Sequence, residues 1–122
     1  VDFKKVVFLN DTISQFYKEN SLDLESIFIN HTTQEINFVS EGSIYKNKKP
    51  SVFVTDKKGV FKYQYPLPSH FLDLNNIKHN AVFEASSKSI TNNGFWVAME
   101  GVLKSDGEEP TFAKTSSPIT AL

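Results

Sequence analysis

Ser26-Ile27-Phe28-Ile29-Asn30, Ile36-Asn37-Phe38-Val39-Ser40, Ser51-Val52-Phe53-Val54-Thr55 and Val60-Phe61-Lys62-Tyr63-Gln64-Tyr65 are four short runs between Leu24 and Leu67. In each, β-branched or aromatic residues alternate with others at a period of two, the pattern of strands with one face on a core. His31-Thr32-Thr33-Gln34-Glu35 is a hairpin-length connection between the first two runs. Thr32 and Glu35 also match a helix capping box, but between two strands they read as a turn. A lysine-rich loop over residues 45–49, closed by Pro50, leads to the third run. Asp56-Lys57-Lys58-Gly59 then supplies a turn whose glycine can take a positive φ. The outcome is four strands in up-and-down order.

Downstream the pattern restarts. Residues 83–89 read as a strand, Thr91-Asn92-Asn93-Gly94 as a tight turn, and Phe95-Trp96-Val97-Ala98-Met99-Glu100 as the returning strand. Residues 101–114 are polar, carry Ser105-Asp106-Gly107 and read as a loop, and residues 115–122 read as a third strand. Upstream, residues 3–9 read as a strand. Within 12–18, Ile13, Phe16 and Tyr17 stand at helical spacing behind Asp11 or Thr12, so a short helix and a strand compete there. Residues 68–74 fit one helical turn with Pro68 at its first position, or an irregular crossover. Four-stranded sheets recurring at roughly 40–50 residues are the mark of radial propellers. The expected fold is therefore all-β, a partial β-propeller of about one and a half four-stranded antiparallel blades. Residues 1–22 would end a preceding blade, 23–67 form a complete blade, 68–79 a linker, and 80–122 an incomplete next blade.

Composition agrees with this and excludes several functions. Eleven Phe, four Tyr and one Trp in 122 residues make an aromatic core suited to pleated, half-buried surfaces. A formal charge of −1 lacks the basic face that nucleic acid requires. All thirteen basic residues are Lys, so the two-pronged guanidinium grip on phosphate or carboxylate is missing. With no Cys there are no disulfides, thiolate metal sites or thiol nucleophiles. No apolar run reaches the ~20 residues of a membrane span. The chain opens at Val1 without a signal peptide and is read as a processed or trimmed product.

Four motifs carry a family likeness: Asp23-Leu24-Glu25-Ser26-Ile27, Pro66-Leu67-Pro68 followed by Phe71, Asn80-Ala81-Val82-Phe83-Glu84, and Trp96-Val97-Ala98-Met99-Glu100-Gly101. In order and spacing they resemble the esterase-like activity of phytase family of propeller-type domains, from about Asp23 to Gly107. Val82 and Ala85 stand where that family often has Gly, and His79 where it often has Arg. The resemblance implies a hydrolase of phosphoesters or esters, acting with Ca2+, in the periplasm or outside the cell. The alternative is a non-catalytic propeller module that binds a ligand or protein at its channel face.

Four carboxylates recur at equivalent places, Glu25 and Glu84 where a blade opens, Glu41 and Glu100 just past its second strand. The innermost strand of a propeller blade lines the central channel, so an acid at its start points to the axis. Converging hard oxygens are what Ca2+ takes, in sets of 6–8. Glu25 and Glu84 are the candidate metal ligands; Glu41, Glu100, His79 and Asn80 are further candidates for binding a polar ligand. The competing reading has Glu25 and Glu84 accepting backbone N–H bonds in the turn between blades. His31 and His70 fall in a hairpin loop and a linker and read as solvated. Ser26 has neither a nucleophile elbow nor a matched base around it. Expected partners are the missing blades, or further copies paired through open sheet edges, and a small phosphoester ligand.

Overall fold

A computed structural model describes residues 22–91, 93–108 and 119–121, the last three by their backbone pairing only. The strand expected at 3–9, the helix-or-strand segment at 12–18 and most of the loop and strand beyond 108 lie outside the described residues. Strands β1 (Leu24–Asn30), β2 (Glu35–Ser40), β3 (Ser51–Thr55) and β4 (Phe61–Gln64) form one antiparallel sheet in sequential order. A second sheet contains β5 (Phe83–Lys88), β6 (Phe95–Met99) and β7 (Ile119–Ala121).

The turns follow from side chains that imitate backbone. Asn30 Oδ1 accepts the N–H groups of Thr32 (3.1 Å) and Thr33 (3.3 Å), fixing the first hairpin. Asp56 Oδ1 does the same for Lys58 (2.8 Å) and Val60 (3.0 Å), and Gly59 takes φ 80°. Those bonds, the one from Val60 first, hold the Asp56 carboxyl below its ordinary range. The β5–β6 connection is wider than a tight Asn-Gly turn. Pairing ends at Lys88 and Phe95, and Ser89 N–H donates to Gly94 O at 3.0 Å. The reason is local: the buried Ser89 hydroxyl accepts Thr91 N–H, a side-chain turn that competes with the shorter loop.

The linker carries helix α1 (Ser69–Leu72). Pro68 precedes the helix and does not occupy its first position, because its ψ of 143° is extended. Phe71 on this helix is buried and lies 5.4 Å from Phe83, ring to ring, which anchors the crossover between the sheets.

Residues paired directly across antiparallel strands share a face, so the first sheet has two well-defined faces. Ser26, Val39 and Val52 lie on one, with Phe28 and Asn37 beside them. This face packs on Phe83, Phe95, Val97 and Met99 of the second sheet, with Phe28 5.4 Å and Tyr65 4.8 Å from the Phe95 ring. Burying each such aromatic contributes about 2–3 kcal/mol. The opposite face carries Leu24, Ile27, Phe38 and Phe53; Phe53 is fully buried, stacked on Phe38 at 5.1 Å. The inner strands β1 and β5 run side by side, tied by Ser86 N–H donating to Ser26 Oγ at 2.9 Å and by a 2.7 Å contact between the two hydroxyls. Two stacked antiparallel sheets with adjacent inner strands, and no closed barrel among the described residues, make this a partial propeller.

Candidate functional site: a carboxylate cluster at paired bulges

The register breaks once in each inner strand, at the same place. Leu24 pairs with Ser40 and Ser26 with Val39, which leaves Glu25 as the extra residue of a β-bulge. Phe83 pairs with Met99 and Ala85 with Ala98, which leaves Glu84 extra in the same way. A bulge bends its strand and re-aims the residue it leaves unpaired. The second strands end alike: Glu41 N–H donates to Asp23 O (3.1 Å) and Glu100 N–H to Val82 O (3.0 Å). Both blades therefore use one device, an acid at the bulge and an acid just beyond the strand it pairs with.

This device gathers acids. One carboxylate oxygen each from Asp23, Glu25 and Glu41 lie within 4.8 Å of one another. Glu41 is 6% exposed, whereas Asp23 and Glu25 are open to solvent. Burial, followed by the charges of Glu25, Asp23, Glu100 and Glu84, pushes the Glu41 carboxyl up to about 7. Glu25 is raised as well, by burial and then by Glu84, Asp23 and Glu100. The charges of Glu84, Glu100 and Asp23 thus bear on both Glu25 and Glu41. Among the described residues no backbone N–H donates to the carboxylates of Glu25, Glu41, Glu84 or Glu100.

Asp23 is the member not picked out as a site residue from the sequence. It stands two residues before Glu25 in the quoted motif, and its carbonyl is the acceptor that fixes Glu41. The other candidates occupy different settings. His79 lies with its ring 4.2 Å from that of exposed Tyr45, and Asn80 takes the left-handed φ of 51°, which Asn tolerates better than most residues. His31 is exposed in the first hairpin turn, and His70 packs its ring against Phe71 at 4.3 Å. Ser26 is committed to Ser86 across the blades.

The three clustered oxygens suit a hard divalent cation. An ion bound at 2.3–2.6 Å can touch oxygens up to about 5 Å apart, and carboxylates are its usual donors. Asp23, Glu25 and Glu41 pass that test of donor type and spacing.

Fold and site together define a propeller-type β protein with an acidic, cation-competent cluster beside its inner strands. The family model for phytase-like proteins, described as esterase-like activity of phytase, matches residues 1–122, and the chain belongs to that family. No curated protein and no solved structure matches it in the comparisons. No helix among the described residues is long and apolar enough to cross a membrane.

Proposed function

We propose that this protein contributes to a Ca2+-dependent hydrolase of phosphoesters or esters, with Asp23, Glu25 and Glu41 holding the cation and Glu84 and Glu100 forming the acidic rim around it. The observation that carries this reading is the convergence of three carboxylate oxygens within 4.8 Å at the bulge of an inner strand. Family membership supports hydrolysis as the reaction class. A bound cation would supply Lewis acidity toward an ester oxygen and a more acidic bound water. The chain's own residues do the holding. Buried Glu41 anchors the site from the end of β2, and the Glu25 bulge turns a second carboxylate toward it. Solvent-facing Asp23 leaves one side open to a small phosphoester ligand. A site of this composition fits the periplasm or the extracellular space, where Ca2+ is abundant enough for moderate affinity.

A second reading, a non-catalytic module that binds a ligand or protein at its channel face, is favoured by one observation. The chain has no Arg to clamp a transferring phosphoryl group. Turnover of p-nitrophenyl phosphate and p-nitrophenyl acetate, with Ca2+ and with chelator, separates the two. Ca2+-dependent turnover that Glu25→Gln and Glu84→Gln abolish supports hydrolysis. A null result with every substrate, alongside intact folding, supports the binding module.

A further inference from the structure

A cavity of about 390 Å3 lies where the start of β3, the end of β4 and helix α1 meet, and none of the five acids described above lines it. Small-molecule sites are commonly ~300–1,000 Å3 in volume. On its wall stands Ser51, 4% exposed, which pairs with Ser40 in the β2–β3 ladder. The Ser51 hydroxyl is buried and has no hydrogen-bond partner. A buried hydroxyl left unpaired destabilises a fold, and such a group in a native protein calls for a partner that the chain itself does not supply. Lys49 and Gln64 line the same cavity, and among the described residues neither side chain has a partner of its own. The rest of the wall is apolar: Pro50, Pro66, Leu67 and Leu72, with the ring of Tyr65, whose hydroxyl already donates to Asn37 Oδ1 at 3.3 Å.

We propose that this cavity binds a small organic carboxylate with an apolar body, at a site separate from the acidic cluster. One unpaired ammonium and two neutral donors match a single negative charge spread over two oxygens. One oxygen would take Lys49 Nζ, the other the Ser51 hydroxyl and the Gln64 amide, and the apolar body would lie against Leu67, Leu72 and the Tyr65 ring. A phosphate monoester matches this wall less well. It brings nearly two charges and three acceptor oxygens to a single cation, in a chain without Arg. The site needs no metal, because each polar group assigned to the carboxylate is a donor from the chain itself.

Titration of benzoate and hexanoate into the isotope-labelled chain, in chelator and followed by two-dimensional NMR, tests this. Saturable amide shifts should map to Lys49, Ser51, Gln64, Tyr65, Leu67 and Leu72. Benzamide, the uncharged counterpart of benzoate, should bind at least about fivefold more weakly, and Lys49→Gln should remove that difference. Ser51→Ala should weaken benzoate at least about fivefold while its melting temperature holds or rises, because the variant loses a hydroxyl that the unliganded fold leaves unpaired. The absence of saturable shifts with both carboxylates overturns the proposal. So does benzamide binding as tightly as benzoate, or a Ser51→Ala variant that binds like wild type. A melting temperature lowered by Ser51→Ala would mean that the hydroxyl serves the fold, and would overturn it too.

Discussion

Replacing Glu41 by Gln removes a charge that folding encloses beside four other acids. The carboxyl rises from 4.5 to about 7 through burial and its neighbours, Glu25 foremost. Each pH unit of that rise is worth about 1.4 kcal/mol, and the water reaching exposed Asp23 and Glu25 screens part of it, leaving about 2–3 kcal/mol. The sign follows from proton binding. The folded chain binds this proton more tightly than the unfolded chain, so the associated stability is complete below 4.5 and is lost as pH rises toward 7. Above that the loss is constant. Urea unfolding in chelator at about pH 4.5 and pH 8 should therefore show wild type losing about 2–3 kcal/mol more than Glu41→Gln across the interval. Comparing one variant with itself at two pH values cancels whatever the new amide costs. Parallel behaviour of the two proteins, or a wild type that gains stability relative to the variant as pH rises, would refute the argument.

Three further outcomes follow from the same geometry. Ser26→Ala removes the hydroxyl that accepts Ser86 N–H across the inner strands and should cost about 1–2 kcal/mol, read as a lower urea midpoint with an unchanged slope. Gly42→Ala should be worse than an ordinary surface change, by about 2 kcal/mol or more. Gly42 takes φ 77°, and a Cβ there would come 2.6 Å from the Lys48 carbonyl oxygen; a neutral melting temperature would contradict this. Ca2+ added at 100 times its pH 8 dissociation constant should stabilise the chain by about 2.7 kcal/mol at pH 8, and the same Ca2+ concentration should stabilise it less at pH 5, because protons compete for Glu41; equal stabilisation at both would be inconsistent with Glu41 as a ligand.

The strands were legible because β-branched and aromatic residues such as Ile27, Phe38 and Phe53 alternate with residues of the opposite face at a period of two. The turns after Asn30 and Asp56 were legible from a hairpin-length connection and from Gly59, whereas the Asn30 and Asp56 side chains that hold them emerged only with the fold. The Ser89–Gly94 connection was not, since its width depends on a buried serine hydroxyl outweighing the Asn-Gly preference. The recurrence of Glu25, Glu41, Glu84 and Glu100 could be read as a pattern, but the bulges could not. A bulge is a property of pairing between Leu24 and Ser40, or Phe83 and Met99, which no single strand reveals. Asp23 was missed for a related reason: it precedes the strand, and its place in the cluster follows from the Glu41 N–H that its carbonyl accepts.

The central claim is that these acids hold a divalent cation, and isothermal calorimetry of Ca2+ into the chain at about pH 7 addresses it most directly. One-site binding, accompanied by buffer-dependent proton release that disappears in Glu41→Gln and by weakened affinity in Glu25→Gln, is the predicted result. Heat no greater than dilution, or an affinity that neither substitution changes, would contradict it.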